Sequence, residues 1–191
     1  VKLLGIAKCH PQGLELRVHP TLLAADHLLA QVNGSMNAVM VKSDAAGVTM
    51  YYGAGAGSEQ TASAVIADLV DIARSTSVGH RHRVPSLAFQ HSAIVAQPVA
   101  NIEDVETCHY LRLDVANLSR TVPKVMEHLT QAGVRVQQLT VFDHSDDAEL
   151  NAVVVLTEQT QLRLLRQAIT ALEQLPGVMG FAKSIRMERL E

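Results

Sequence analysis

The 191-residue chain is poor in several residue types, and each shortage excludes a class of function. It has no tryptophan and only 3% aromatic residues, so base-stacking platforms for single-stranded nucleic acid are excluded. Its net charge of -3 argues against a nucleic-acid-binding domain, which normally carries an excess of basic residues. Its two cysteines, Cys9 and Cys108, form neither a metal-spaced pair nor a disulfide framework, which favours a reducing cytoplasm.

Long hydrophobic runs are also missing. No apolar run reaches the roughly 18 residues that a membrane span requires, and the first residues lack the layout of a signal peptide. We therefore expect a cytoplasmic protein with no membrane partner. The first residue is Val1 rather than methionine, so we expect a fragment or a processed chain.

The most regular pattern occupies residues 105–191. Residues 109–115 alternate between apolar and polar side chains, which is typical of a half-buried strand. The sequence predicts three more strands, the last of them after Gly177, and two amphipathic helices. The order of these elements is β-α-β-β-α-β, which is the ferredoxin-like split unit. Two helices then cover one sheet face, and the other face stays open for a partner. The apolar stripes of the two helices are Val122, Val125, Met126 and Leu129, and Leu162, Leu165, Ile169 and Leu172.

The caps of these helices are also predicted. Ser119 is a plausible N-cap of the first helix, and Gly133 a plausible stop. Thr157 or Thr160 is expected to cap the second helix.

The front half, residues 1–76, holds most of the glycines. A hairpin is predicted across Asp44 and Gly47, followed by the loop that contains Gly53, Gly55 and Gly57 and by a helix over residues 61–75. A glycine loop that opens a helix lets a phosphate or dinucleotide approach the backbone closely. The pattern is not a full dinucleotide fingerprint, so the residues alone favour a plain tight turn, with a ligand site as the alternative.

The nine histidines suggest metal binding, but their neighbours argue against it. His80 and His82 alternate with arginines, which disfavour a bound cation. His144 lies in a predicted polar turn with Asp146 and Asp147, and His19 is expected to be a structural histidine with satisfied hydrogen bonds, as is His27. No metal site is predicted. Cys108 and His109 are adjacent in a strand and point to opposite faces, so they cannot form a nucleophile–base pair.

Two stretches of the front half resemble homoserine dehydrogenase. They read VHPTLLAADHLLAQVNGSMNAVMVKSDAAG and YYGAGAGSEQTASAVIADLVDIAR, within residues 3–74. The back half resembles an ACT domain, a β-α-β-β-α-β module that binds amino acids and regulates biosynthetic enzymes. The implied fold class is α+β: a partial substrate domain with a mixed sheet over residues 1–76, a linker over 77–104, and a ferredoxin-like ACT domain over 105–191.

The resemblance implies the reduction of aspartate semialdehyde to homoserine with NADH or NADPH, in threonine, methionine and isoleucine biosynthesis. It maps Gly57 and Thr61 onto cofactor-binding positions, and His27 onto a hinge histidine near the subunit interface that is not catalytic. The Rossmann domain and the catalytic lysine of the family are not in this sequence, so no catalytic residue is assigned. The fragment alone is expected to be inactive and not to bind NAD or NADP stably.

The resemblance also implies an effector site and partners. The loop after the first ACT strand binds the amino-acid effector, here threonine, and it maps onto Asn117, Leu118 and Arg120. Arg120 stands where the family pattern has glycine, which adds bulk where a close backbone approach is expected. A homo-oligomer, at least a dimer, is expected. The alternative function is a non-catalytic module for amino-acid binding or oligomerisation.

Overall fold

The computed structural model describes residues 1–10, 13–77, 89–143 and 151–189. The contacts divide the chain into two compact units. The first unit joins Val1–Ala24 to Gln97–Glu191, and the second is Ala25–Ala96.

The first unit is built on one mixed sheet with two helices. The strands are β1 (Lys2–His10), β2 (Gly13–Leu22), β5 (Glu106–Val115), β6 (Val136–Asp143), β7 (Asn151–Thr157), β8 (Thr160–Gln161) and β9 (Val178–Met187), and the helices are α2 (Leu118–Gln131) and α3 (Leu162–Glu173). The strands lie in the order β1-β2-β9-β5-β7-β6, and β8 pairs with the beginning of β5. Neighbouring strands are antiparallel except for β2 and β9, which run parallel through the pairs Thr21–Arg186 and Leu22–Met187.

The hydrophobic core of this unit lies between the two helices and one face of the sheet. Each helix has an apolar stripe with the spacing of an amphipathic helix, and burying that stripe is the main source of its stability. The predicted stripes are confirmed, because Val125, Leu129, Leu165 and Leu172 are almost fully buried. The sheet contributes the alternating side chains Leu111, Leu113, Val115, Val153 and Val155 to the same cluster.

The predicted helix starts are wrong, although the predicted stop is confirmed. Helix α2 begins after Asn117 rather than Ser119, and α3 begins only after Gln161, because Thr160 and Gln161 first pair with β5. The hydroxyl of Thr157 instead accepts a hydrogen bond from the His109 backbone amide. Gly133 ends α2 in the left-handed region, with φ 76°.

The second unit contains a hairpin and a helix. Strands β3 (Met36–Ser43) and β4 (Gly47–Ala54) pair antiparallel across the predicted turn, and the helix α1 (Ser58–Ser77) follows. A single 3-10 turn, Leu28–Gln31, precedes the hairpin and is capped by His27, whose Nδ1 accepts the Leu29 amide. Helix α1 has an apolar stripe, which contains Val65, Leu69 and Ile72, and all three side chains are exposed.

The structure confirms a mixed α+β architecture with a mixed sheet and, in the described residues, three α-helices. The domain boundaries predicted at residues 76 and 104 stay a prediction. The two compact units divide the chain differently, because β1 and β2 lie in one sheet with β9. Residues 144–149 of the predicted polar turn and residues 78–88 of the linker, which include His80 and His82, lie outside the described residues. None of the described helices combines the length and apolarity needed to cross a membrane.

Candidate functional site

The glycine loop forms the entry to α1. Gly57 has φ 131°, and its carbonyl accepts the first helical hydrogen bond, from the Thr61 amide at 3.1 Å. A side chain at Gly57 would overlap the side-chain amide of Gln60, and one at Gly55 would overlap the side chain of Asn37. The loop therefore requires glycine at position 57 for its backbone conformation, and at position 55 for the space beside Asn37.

The surroundings of this loop are open to solvent. Residues 53–64 are all exposed, so the first-turn amides of α1 are near a free surface. Such a helix start favours an anionic group such as a phosphate. Glu59 lies in the same turn and opposes an anion. The assignment of Gly57 and Thr61 to the cofactor stays a prediction.

The second predicted site is the loop between β5 and α2. Asn117 has φ 53° and ψ 76°, and among the described residues it alone has a positive φ without being glycine. Its carbonyl accepts the amides of Arg120 and Thr121, and its side chain accepts the hydroxyl of Ser119 at 3.1 Å. A left-handed residue of this kind costs about 1 kcal/mol or more and is often found at binding sites.

The turn before β9 closes over this loop. The Ala116 amide donates to the Gly177 carbonyl at 2.8 Å, and the Thr121 hydroxyl donates to the Ala116 carbonyl at 2.7 Å. A side chain at Gly177 would overlap the Thr121 hydroxyl. The loop is therefore held by a backbone hydrogen bond to Gly177 and by a side-chain hydrogen bond from Thr121.

The three predicted effector residues have different environments. Leu118 is half-buried and packs against the hydrophobic core, so its role in the structure is packing. Asn117 and Arg120 are exposed. The structure thus leaves two of the three side chains accessible to a ligand, and their effector role stays a prediction.

A third cluster, which the sequence analysis missed, is a buried charge network on β2. The strand has an inverted pattern, since its polar residues Glu15, Arg17, His19 and Thr21 are buried while Leu16 and Val18 are exposed. The Arg17 side chain is 1% exposed and donates to Glu15 and to Glu188 beyond the end of β9. The network therefore connects the β1–β2 hairpin to the C-terminal end of the sheet.

The charges of the network stabilise each other. Burial alone raises the pKa of Glu15, but the hydrogen bond and charge of Arg17, assisted by His10, outweigh it and lower that pKa. Burial also disfavours the charge of Arg17, yet Glu188 and Glu15 raise its pKa above the ordinary value. Lys8 adds an ion pair with Glu188 at 3.2 Å. Charged side chains are rarely this buried unless they are paired in such a way.

His19 is a neutral member of this network. Its Nε2 lies 3.0 Å from Nη1 of Arg17, which can only donate, so Nε2 accepts and Nδ1 carries the proton. Nδ1 in turn lies within hydrogen-bond distance of the Pro20 carbonyl and the Thr21 hydroxyl. Burial lowers the pKa of His19, and the charges of Arg186 and Arg17 lower it further. Both nitrogens are satisfied, as expected from the sequence for a structural histidine.

His109, on β5, has an unusual environment. It is 1% exposed, and its Nε2 lies 2.8 Å from the hydroxyl of Thr107. Its Nδ1 is buried and has no hydrogen-bond partner in the part of the chain that the structure describes. Burial, followed by the charge of Arg186, lowers its pKa to about 4, so the ring is neutral at physiological pH. Its neighbour Cys108 pairs with Met187 while His109 pairs with Arg186, which agrees with opposite side-chain directions.

A metal centre is not found in the part of the chain that the structure describes. There, no group of three histidine, cysteine or acidic side chains is placed to hold an ion. The predicted turn with His144, Asp146 and Asp147 lies outside that part.

Comparison with known proteins gives the same family in each case. The family model of homoserine dehydrogenase matches residues 1–70. A homoserine dehydrogenase of Pseudomonas aeruginosa is 42% identical over 190 residues, covering 100% of this chain and 44% of the relative. One of Neisseria gonorrhoeae is 41% identical, covering 100% and 43%. A crystal structure of the Thiobacillus denitrificans homoserine dehydrogenase superposes with a TM-score of 0.86 at 42% identity, over 98% of this chain and 42% of that one.

These relatives are dehydrogenases, a class of oxidoreductase. Over its whole length the chain matches a part of homoserine dehydrogenase, and it spans about two fifths of the length of the curated relatives that it matches.

Removal of the central cation tests the buried network. Arg17→Met keeps the side-chain volume but leaves Glu15 and Glu188 without their shared partner. We expect it to lower the free energy of unfolding by about 3–5 kcal/mol, because unpaired buried charges are costly. Urea unfolding followed by circular dichroism measures this loss. The control, Arg135→Met, breaks an exposed pair with Glu158 and is expected to cost about 1 kcal/mol or less. Equal losses for the two variants would contradict the network.

The pH dependence of stability tests His109. Because folding lowers its pKa from 6.5 to about 4, the unfolded chain takes up a proton first as the pH falls. The contribution of His109 is therefore complete above pH 6.5 and is lost towards pH 4, by about 3 kcal/mol in total. His109→Gln removes this titration and should flatten the dependence in urea unfolding between pH 4.5 and 6.5. His128→Gln, on the exposed side of α2, should keep the wild-type slope; an unchanged slope in His109→Gln would contradict the assignment.

Proposed function

We propose that this chain is the part of a homoserine dehydrogenase that completes the substrate domain and carries a regulatory ACT domain. The observation that carries the proposal is the 42% identity over 190 residues to a homoserine dehydrogenase. The parent reaction is the NAD(P)H-dependent reduction of aspartate semialdehyde to homoserine. The product serves threonine, methionine and isoleucine synthesis, and threonine is the feedback effector.

The ACT assignment is supported by the arrangement of the C-terminal elements. Apart from the short β8, the order along the chain is β5-α2-β6-β7-α3-β9, which is the pattern β-α-β-β-α-β. In the sheet, these four strands lie antiparallel in the order β9-β5-β7-β6. Both helices cover the same sheet face. This arrangement supports the proposal of a ferredoxin-like unit. The left-handed Asn117 and the contact of Ala116 with Gly177 shape the loop at which an effector binds.

The cofactor role of the glycine loop rests on its shape. Gly57 and the free start of α1 allow the nicotinamide dinucleotide to approach the backbone without a side-chain clash. Thr61 follows on the first turn of the same helix. The chain by itself has neither a catalytic lysine nor a Rossmann domain assigned to it, so we expect it to show no turnover alone.

A chimaera tests the parent activity. The chain is joined to the part of the Pseudomonas aeruginosa relative that it does not cover, and NAD(P)H oxidation with aspartate semialdehyde is followed. The chimaera is expected to turn over and the isolated chain is not. Gly57→Ala should raise the KM for NAD(P)H at least tenfold while the KM for aspartate semialdehyde changes little, because the added carbon collides with the Gln60 side chain and disturbs the backbone that the cofactor approaches.

A matched control separates this effect from backbone strain. Gly47→Ala also places a side chain at a positive φ, 67°, but in the open hairpin turn. It should leave both KM values near those of the parent chimaera. An inactive chimaera that is folded, or equal effects of the two substitutions on the cofactor KM, would refute the proposal for this loop.

Calorimetry with threonine tests the regulatory half. The 191-residue chain is titrated with threonine at millimolar concentrations, and heat with a thermal upshift is expected. Asn117→Gly keeps the left-handed conformation but removes the polar side chain, and it should weaken binding severalfold. Binding that is unaffected by Asn117→Gly would place threonine elsewhere.

Assembly without effector binding is the second candidate function. It is favoured by Arg120 at the position where the family has glycine, and by the exposed apolar side chains Leu3, Leu16 and Val18 on β1 and β2. The absence of any threonine heat, together with a dimer in light scattering, would support this alternative. A homodimer is expected under both proposals, and a monomer at micromolar concentration would count against both.

A further inference from the structure

The outer face of the β1–β2 hairpin carries no charged side chain. The buried network occupies the inner face, through Glu15, Arg17 and His19 on β2. Because side chains alternate along a strand, the intervening residues of β2 and their partners in β1 point outward. These outward residues form what we call the hairpin face, which consists of Leu3, Gly5, Ala7, Cys9, Leu14, Leu16, Val18 and Pro20.

The hairpin face is open in this chain. Leu3 and Val18 are 72% and 74% exposed, and Leu16 is 49% exposed. Leu14 is half-buried, and the other members of the face are exposed. At about 3.4 Å per residue and about 4.8 Å between strands, the face is about 20 Å long and about 10 Å wide. A contiguous apolar surface of this kind marks a place where another part of a protein packs.

The same side of the sheet is polar on the C-terminal strands. The strand ladders place the hairpin face on the same side of the sheet as Arg112, Asp114 and Lys183. There, Arg112 and Lys183 both pair with Asp114, and all three side chains are accessible to solvent. A charged surface is typical of a sheet face that meets water. One sheet therefore has a surface suited to solvent on β5 and β9, and a surface suited to an interior on β1 and β2.

The change in polarity coincides with the limit of the family match. Strands β1 and β2 lie inside residues 1–70, which match the homoserine dehydrogenase model, and β5 and β9 lie outside them. The chain covers 44% of the Pseudomonas aeruginosa relative, so more than half of that protein has no counterpart here. A segment of the same polypeptide acts at an effective concentration of about millimolar, which favours it over a second copy of the chain.

On the basis of the proposed function, we propose that the hairpin face is the docking surface for the part of the parent dehydrogenase that this chain does not cover. The occupant presents an apolar helix or sheet surface, because covering this face with polar groups would bury them without hydrogen-bond partners. The hairpin is then held on its inner face by the charge network and on its outer face by the remaining enzyme.

Thiol labelling compares the isolated chain with the chimaera described above. Val18→Cys in a Cys9→Ser background places a thiol on the hairpin face, while the native Cys108 is buried. N-ethylmaleimide should label position 18 rapidly in the isolated chain, and roughly tenfold or more slowly in the chimaera, where labelling requires local opening. Peptide mass spectrometry assigns the label to position 18, so cysteines elsewhere in the chimaera do not contribute.

Lys183→Cys in the same background is the matched control. Position 183 is exposed and lies on the polar part of the same sheet face. Its labelling rate should be equal in the isolated chain and in the chimaera. Equal slowing at positions 18 and 183 would show that the whole sheet face is covered, and it would overturn a docking surface confined to the hairpin.

The outcomes separate this proposal from the proposed function. Slower labelling of position 18 in the chimaera alone supports the docking surface even if the chimaera is inactive, because labelling requires no turnover. Equal rates at position 18 overturn it, and the activity of the chimaera still decides the proposed function.

Two results with the isolated chain also overturn the proposal. Labelling that slows as the chain concentration rises assigns the hairpin face to a second copy. Slow labelling at every concentration means that the chain covers this face itself. If Val18→Cys prevents folding, Ala7→Cys, which lies beside it on β1, must show the same protection in the chimaera.

Discussion

The bridging of two buried carboxylates by Arg17 is the interaction on which the first unit depends. Arg17 is on β2 and Glu188 is beyond β9, while the backbone pairing between those strands is limited to two residue pairs. The short parallel ladder alone is a weak connection. The ion network therefore supplies much of what joins the β1–β2 hairpin to the remaining sheet, and its burial makes each charge dependent on the others.

The same network determines the protonation of its neighbours. Burial disfavours a charged imidazole, and the cations Arg17 and Arg186 disfavour it further, so His19 and His109 stay neutral. Neutral histidines keep one N–H and one acceptor each. His19 uses both within the network, whereas Nδ1 of His109 has no hydrogen-bond partner among the described residues. In that part of the chain, the buried side-chain atoms that lack a partner are this Nδ1 and Nη2 of Arg17.

Prediction from the sequence succeeded where local periodicity decides the structure. The apolar stripe that contains Val125 and Leu129 correctly predicted α2, and the alternating pattern of residues 109–115 correctly predicted β5. It failed at the helix starts, since the backbone of Thr160 pairs with β5 instead of beginning α3. The cluster around Arg17 was missed because alternating Leu16 and Val18 normally indicate the buried face, and here they are exposed. Only the packing of the opposite face shows that the polar residues are inside.

The sequence by itself determined the type and order of the elements, the hairpin turn at Gly47 and the family resemblance, because these follow from side-chain periodicity, local turn chemistry and recognisable motifs. The tertiary structure decided that β1 and β2 join the C-terminal sheet, which face of β2 is buried, and which histidine lacks a hydrogen-bond partner. The reason is physical: pairing between residues 17 and 188 depends on distances across the whole chain, and no local pattern encodes them.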